Sequence, residues 1–177
     1  MLERWHEFYV LLGTAAAALV ALLFVAASIA TGRLSVQRGG PTRTFTSPVL
    51  VHYTYVLFVS LVALVPVNTD VSFAVIIGLS AAAGLAYAVL LMVRVLRSST
   101  ITDIDDRLGY GAGPPVAYAT ALAGAVLIGT HSDVGPPLLA AALILLILVN
   151  IRNTWDLTVF FAQSRGDENS GGGGSAR

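Results

Sequence analysis

Hydrophobic and polar positions alternate on a long scale in this chain: five apolar stretches are separated by short polar ones. A helix needs ~20 mostly apolar residues to cross ~30 Å of hydrocarbon. Residues 8–30 meet this alone, with Gly32 as the stop. Ser47-Pro48 reads as an N-cap followed by proline at the first helical position, where a missing N–H costs nothing. It opens a second span over 48–66, closed by Pro66. Val67-Asn68-Thr69-Asp70 leaves room only for a tight hairpin into a third span over 72–97, ending at Arg94 and Arg97, whose stems can snorkel to the headgroups. Pro114-Pro115 opens a fourth over 114–130, and Pro136-Pro137 a fifth over 136–161. The predicted fold is all-α, a single polytopic transmembrane bundle of about five helices over 1–163. Residues 164–177 read as a flexible tail, ending in the low-complexity Gly171-Gly172-Gly173-Gly174-Ser175.

The first stretch is too long and its lead-in, Met1-Leu2-Glu3-Arg4-Trp5-His6-Glu7, too acidic for a cleavable secretory signal. It is expected to be a retained helix. Arginine placement then orients the bundle. With five spans, the loops 32–46 and 98–113 and the C-terminal tail share one side. That side holds Arg33, Arg38, Arg43, Arg94, Arg97, Arg107, Arg152, Arg165 and Arg177, and the other holds Arg4 alone. Basic residues accumulate on the cytoplasmic side, so the N-terminus is expected outside and the C-terminus inside, in a multi-pass protein of the cell membrane.

Composition agrees. Only 11% of the 177 residues are charged, whereas soluble domains run near a quarter, so the surface is one that lipid can cover. Net charge is zero, which leaves no basic field for nucleic acid. Cysteine is absent, excluding disulfides, thiol catalysis and cysteine metal sites together. All ten basic residues are arginine, the habit of GC-rich bacterial or archaeal genomes.

Chemistry-bearing residues are few. Small residues recur at helical spacing: Gly13, Ala17 and Ala21 in the first span, Ser80, Gly84 and Ala88 in the third, Ala117, Ala121, Ala125 and Gly129 in the fourth. Such stripes let backbones approach closely where lipid gives no hydrophobic drive for association. They suit packing within one subunit or between subunits. The run Asn150-Ile151-Arg152-Asn153-Thr154-Trp155-Asp156 places Arg152 and Asp156 one turn apart. Asn150, Arg152, Asn153 and Asp156 are the candidate partner or pore site, set against anchoring at the interface. His52, Tyr53 and Tyr55 read as an interfacial belt, since one histidine without a second ligand is a poor metal site. Thr102-Asp103-Ile104-Asp105-Asp106-Arg107 lacks the glycine and terminal glutamate of a calcium loop. Ser60, Ser80 and Thr120 are mid-membrane hydroxyls expected to bond their own helix carbonyls. No catalytic residue, cofactor or metal site emerges.

Trp5-His6-Glu7-Phe8-Tyr9, Gly13-Thr14-Ala15-Ala16-Ala17-Ala18 and Leu22-Leu23-Phe24-Val25-Ala26-Ala27-Ser28, with Arg43-Thr44-Phe45, Ser47-Pro48 and the run from Arg152 to Asp156, resemble small polytopic bacterial membrane proteins without an assigned activity. Some of those are labelled modulators of a membrane-bound protease. The resemblance reaches to about Phe161 and implies membrane residence and a partner, with no catalytic residue to carry over. The expected function is therefore a non-enzymatic modulator or assembly partner, bound to the bilayer and to another membrane protein or a second copy. The alternative is an oligomeric ion channel or small transporter.

Overall fold

The computed structural model describes residues 2–31, 42–66, 69–97 and 112–171, and side chains at 4–26, 28, 48–66, 69–94 and 112–155. After a 3-10 turn, Leu2–Trp5, the chain forms α1 (His6–Thr31), α2 (Thr42–Ala63), α3 (Asp70–Arg97), α4 (Gly113–Gly129) and α5 (Gly135–Gly171), with no strand among the described residues. Segments of α1, α3 and α5 (His6–Ala26, Asp70–Arg94 and Gly135–Trp155) are long and apolar enough to cross a membrane. Pro48–Ala63 and Gly113–Gly129 are shorter apolar helices. The fold is an all-α bundle of membrane character.

Helix ends differ from the expected ones where capping chemistry decides. The second helix begins at Thr42 and keeps Pro48 inside. Pro48 is the seventh residue of that helix, so it both removes a bond to the Thr44 carbonyl and crowds that carbonyl with its ring, at a cost of ~3 kcal/mol. The third begins at Asp70, since the Thr69 hydroxyl accepts the Ser72 N–H at 3.1 Å and acts as the cap. The fifth does not end near Phe161 but continues to Gly171, across much of the expected tail. No proline interrupts 157–171, so nothing forbids the continuation. The loop 32–46 lies outside the described residues up to Gly40-Pro41, and the Thr102–Arg107 carboxylates lie outside them altogether.

The helices pack around a shared core. The closest partners are α4 with α5 and α3 with α4, followed by α1 with α2. Both α3 and α5 also meet α2, and α1 packs against α2 and, through the Tyr9 and Phe73 rings 6.3 Å apart, against α3. Against α5, α4 comes into backbone contact: a Cβ on Gly124 would sit 2.9 Å from Leu139 N, and one on Gly135 2.7 Å from Ile128 N. Neither glycine belongs to the stripes expected from spacing, which ran through Ala117, Ala121 and Ala125. Those three are buried in the same core.

The turn joining these two helices is closed by backbone bonds from His131 N to Ile128 O and from Ser132 N to Leu127 O, both 2.9 Å, with His131 at φ 58°. This is the reciprocal C-terminal cap that needs a left-handed residue. His131 Nδ1 lies 3.9 Å from Asp70 Oδ2, which sets the end of α4 level with the start of α3.

Candidate functional site

The expected cluster on α5 divides by face. Asn150 and Asn153 are buried, whereas Arg152 is exposed and Trp155 more so. The Asp156 side chain lies outside the described residues, and with it the expected pair with Arg152. Asn150 Nδ2 donates to Leu146 O at 2.8 Å, while its Oδ1 is buried without a hydrogen-bond partner. An unmet acceptor of that kind costs roughly 1–3 kcal/mol. The register explains why it is buried. Gly113, the first residue of α4, abuts Val149, so Asn150 falls just beyond the end of α4 on the same face as Leu143 and Leu146.

On α2, His52, Tyr53 and Tyr55 do not form a belt facing the headgroups. All three are buried, and Thr54 between them is exposed. The helix period carries residues 52, 55, 56 and 59 onto the face that α3 and α5 cover. His52 Nδ1 is 2.9 Å from the Tyr118 hydroxyl. One proton serves the bond, on the nitrogen or on the oxygen according to the histidine tautomer. The Tyr55 ring meets the Tyr118 ring edge-on at 4.8 Å, and the Tyr87 ring stands 6.3 Å from the imidazole. Tyr118 thus reaches from α4 between α3 and α5 to α2. Close by, the Tyr53 hydroxyl lies 3.4 Å from Thr154 Oγ1, which itself donates to Asn150 O at 2.8 Å. With the threonine proton so used, Tyr53 is the donor. A polar layer of His52, Tyr53, Tyr118, Asn150 and Thr154 therefore ties three helices inside an otherwise apolar bundle.

The small residues have mixed fates. Gly84 was expected to let two backbones touch; it instead accommodates a ring, since a Cβ there would overlap the Tyr118 aromatic carbons. Ala88 and Ala121 are buried, and Gly129 faces Ala74, 3.4 Å from where its own Cβ would be. Ser80 donates to Ile77 O at 3.0 Å, Ser60 to Val56 O and Thr120 to Val116 O, the expected own-helix bonds. Gly13 abuts Ser60, but Ala17 and Ala21 are exposed. The buried line of α1 is Tyr9, Leu12, Ala16 and Leu23, which a spacing of four from Gly13 drifts away from.

Among the described residues no three His, Cys, Asp or Glu side chains converge as a metal site would require. Spacing had no means of pairing His52 with Tyr118, which are 66 residues apart. The available signal was one polar residue on the apolar side of each of two spans. Compared with protein-family models, curated proteins and solved structures, the chain matches none of them.

Proposed function

We propose that the chain is a five-span protein of a bacterial cytoplasmic membrane, N-terminus outside and C-terminus inside, that acts without catalysis. It works as a modulator or assembly partner through helix–helix contacts with another membrane protein. The observation carrying this reading is the outward face of α1. Thr14, Ala17, Ala18 and Ala21 are exposed there, while the bundle takes only the opposite face. The Thr14 hydroxyl is bonded to Val10 O at 2.8 Å, so this face presents no free polar donor to lipid. Small side chains spare a neighbouring helix the loss of distance that leucine would impose, and dispersion then favours association. The likeness to small bacterial membrane proteins labelled protease modulators points the same way.

The test uses the chain's lack of native cysteine. Ala18→Cys and Ala21→Cys, cross-linked in native membranes, should each trap one defined membrane protein. Adding Thr14→Leu should abolish the cross-link while the melting temperature in detergent stays unchanged. No cross-link at either position, with the protein folded, removes the reading.

The orphan Asn150 Oδ1 favours a second reading, a pore or small transporter with Asn150, Arg152, Asn153 and Asp156 near its inner mouth. Buried polar groups in a membrane bundle often mark a path for ions. Purified protein in liposomes should then pass small ions, with a selectivity that Asp156→Lys changes. The absence of flux would leave the partner reading standing.

A further inference from the structure

The five helices divide into two packing units. Within α3, α4 and α5, neighbours approach closely at glycines: Gly78 and Gly129 against alanines, Gly113 against Val149, Gly124 and Gly135 against backbone. Within the α1–α2 hairpin Gly13 does the same, since a Cβ on it would stand 3.0 Å from Ser60 Cβ. Between the two units no glycine among the described residues makes such an approach. Close approach at small residues is what holds helices together in lipid, so the seam between the units lacks the contact that makes each of them firm.

Long side chains cross the seam instead, and its two ends differ. At the end carrying Phe73, the rings of Trp5, Phe8, Tyr9 and Phe73 make successive edge-on contacts at 5.6, 5.3 and 6.3 Å. There the chain also passes directly from α2 into α3. At the end carrying Asn150 the crossing is made by the His52–Tyr118 bond at 2.9 Å, the Tyr55 ring on Tyr118 at 4.8 Å and the Tyr53–Thr154 contact at 3.4 Å. At this end Leu23 of α1 with Val49 and Tyr53 of α2 forms a buried cluster of its own, apart from the main core. Asn150, one turn before Thr154, keeps a buried Oδ1 without a hydrogen-bond partner.

We infer that the α1–α2 hairpin swings against α3–α5 about the Phe73 end, opening the seam at the Asn150 end, and that the His52–Tyr118 bond is the latch holding it shut. The apolar contacts that would resist opening lie mainly near the pivot. What is given up at the other end is a few bonds that water can replace, while water reaching Asn150 Oδ1 supplies the donor it lacks. Two arrangements of rigid units joined at one end are the ordinary form of a hinge motion. Such a swing is compatible with either function proposed above, since it needs only the packing.

The lack of native cysteine allows nitroxide pairs to test it. Thr54→Cys with Val116→Cys spans the seam toward the Asn150 end, and Leu61→Cys with Val126→Cys spans it toward the Phe73 end. Leu90→Cys with Ile151→Cys lies within α3–α5, and all six positions are exposed. Double electron–electron resonance in phosphatidylcholine vesicles reads the three distance distributions. Tyr118→Phe keeps the ring against Gly84 and removes the latch. It should raise the long-distance population of the 54/116 pair several-fold and leave the other two pairs unchanged. His52→Phe removes the same bond from the other side and should give the same pattern. An unchanged 54/116 distribution in both variants would overturn the latch and the swing together. Equal broadening of the 90/151 pair would mean general loosening, and equal broadening of the 61/126 pair would mean separation without a pivot; either overturns the inference.

Discussion

Gly84 of α3 and the ring of Tyr118 on α4 share one volume, so that no side chain larger than hydrogen fits at residue 84 while the ring stays in place. The ring's position matters because its hydroxyl ends 2.9 Å from His52 on α2. A glycine on one helix thus lets a second helix bond to a third. Spacing within one helix points to close packing at this residue, but what packs there is set by a side chain from 34 positions downstream.

Gly84→Ala should therefore be costly and not mild. The methyl displaces a ring hemmed in by Tyr55 and His52, and overpacking of this kind costs ~1–3 kcal/mol. Gly84→Leu should cost more. In the background of Tyr118→Leu the alanine change should become nearly neutral, giving a strongly non-additive cycle. Reversible unfolding in mixed detergent micelles measures it. Additive penalties would mean that the ring is not held against Gly84.

Tyr118→Phe keeps the packing and removes the hydroxyl, leaving His52 Nδ1 unpaired in a buried site. The expected loss is ~1–3 kcal/mol. His52→Phe should cost about the same by leaving the tyrosine hydroxyl unmet. The double change to phenylalanine should be less damaging than the sum, because neither polar group is then stranded. Thermal melts of the four proteins decide the matter.

Asn150→Leu removes a buried acceptor that has no partner at the expense of one bond to Leu146 O. The two terms are of similar size, about 1 kcal/mol each way, so stability should change little. Asn150→Asp places a carboxylate in the same buried position and should be far worse. A large loss with leucine would show that Oδ1 is engaged in the working protein.

His131→Gly should raise stability by up to ~1 kcal/mol, since glycine takes a left-handed backbone without steric cost. Set against this is only an exposed 3.9 Å contact with Asp70, worth little in water. His131→Val should be destabilising, as a β-branched residue resists φ 58°. Both are read from the melting temperature.

For topology, a reporter fused at Gly39 or Gly111 should be active only in the cytoplasm, and one at Thr69 or Ser132 only outside. The arginine distribution motivates this expectation. External activity at Gly39 would reverse the orientation.

The helical, membrane-like character and the five helices of the described residues were legible in the chain, because an apolar run long enough to span lipid must satisfy its own backbone and has only the helix with which to do so. The proline pairs before α4 and α5 and the own-helix bonds of Ser60, Ser80 and Thr120 were equally local, and so they too could be read. Which face of a helix turns inward was not local. In α1 the small-residue spacing pointed to Ala17 and Ala21, but the neighbours chose Ala16 and Leu23. Every face of a membrane helix is apolar, so hydropathy does not separate the lipid side from the protein side. The polar layer was hidden for the same reason. His52, Tyr118 and Asn150 each look like a lone polar residue near a span's end, and only the packing of α2, α4 and α5 brings them into one core, where an unshared proton or acceptor acquires a cost.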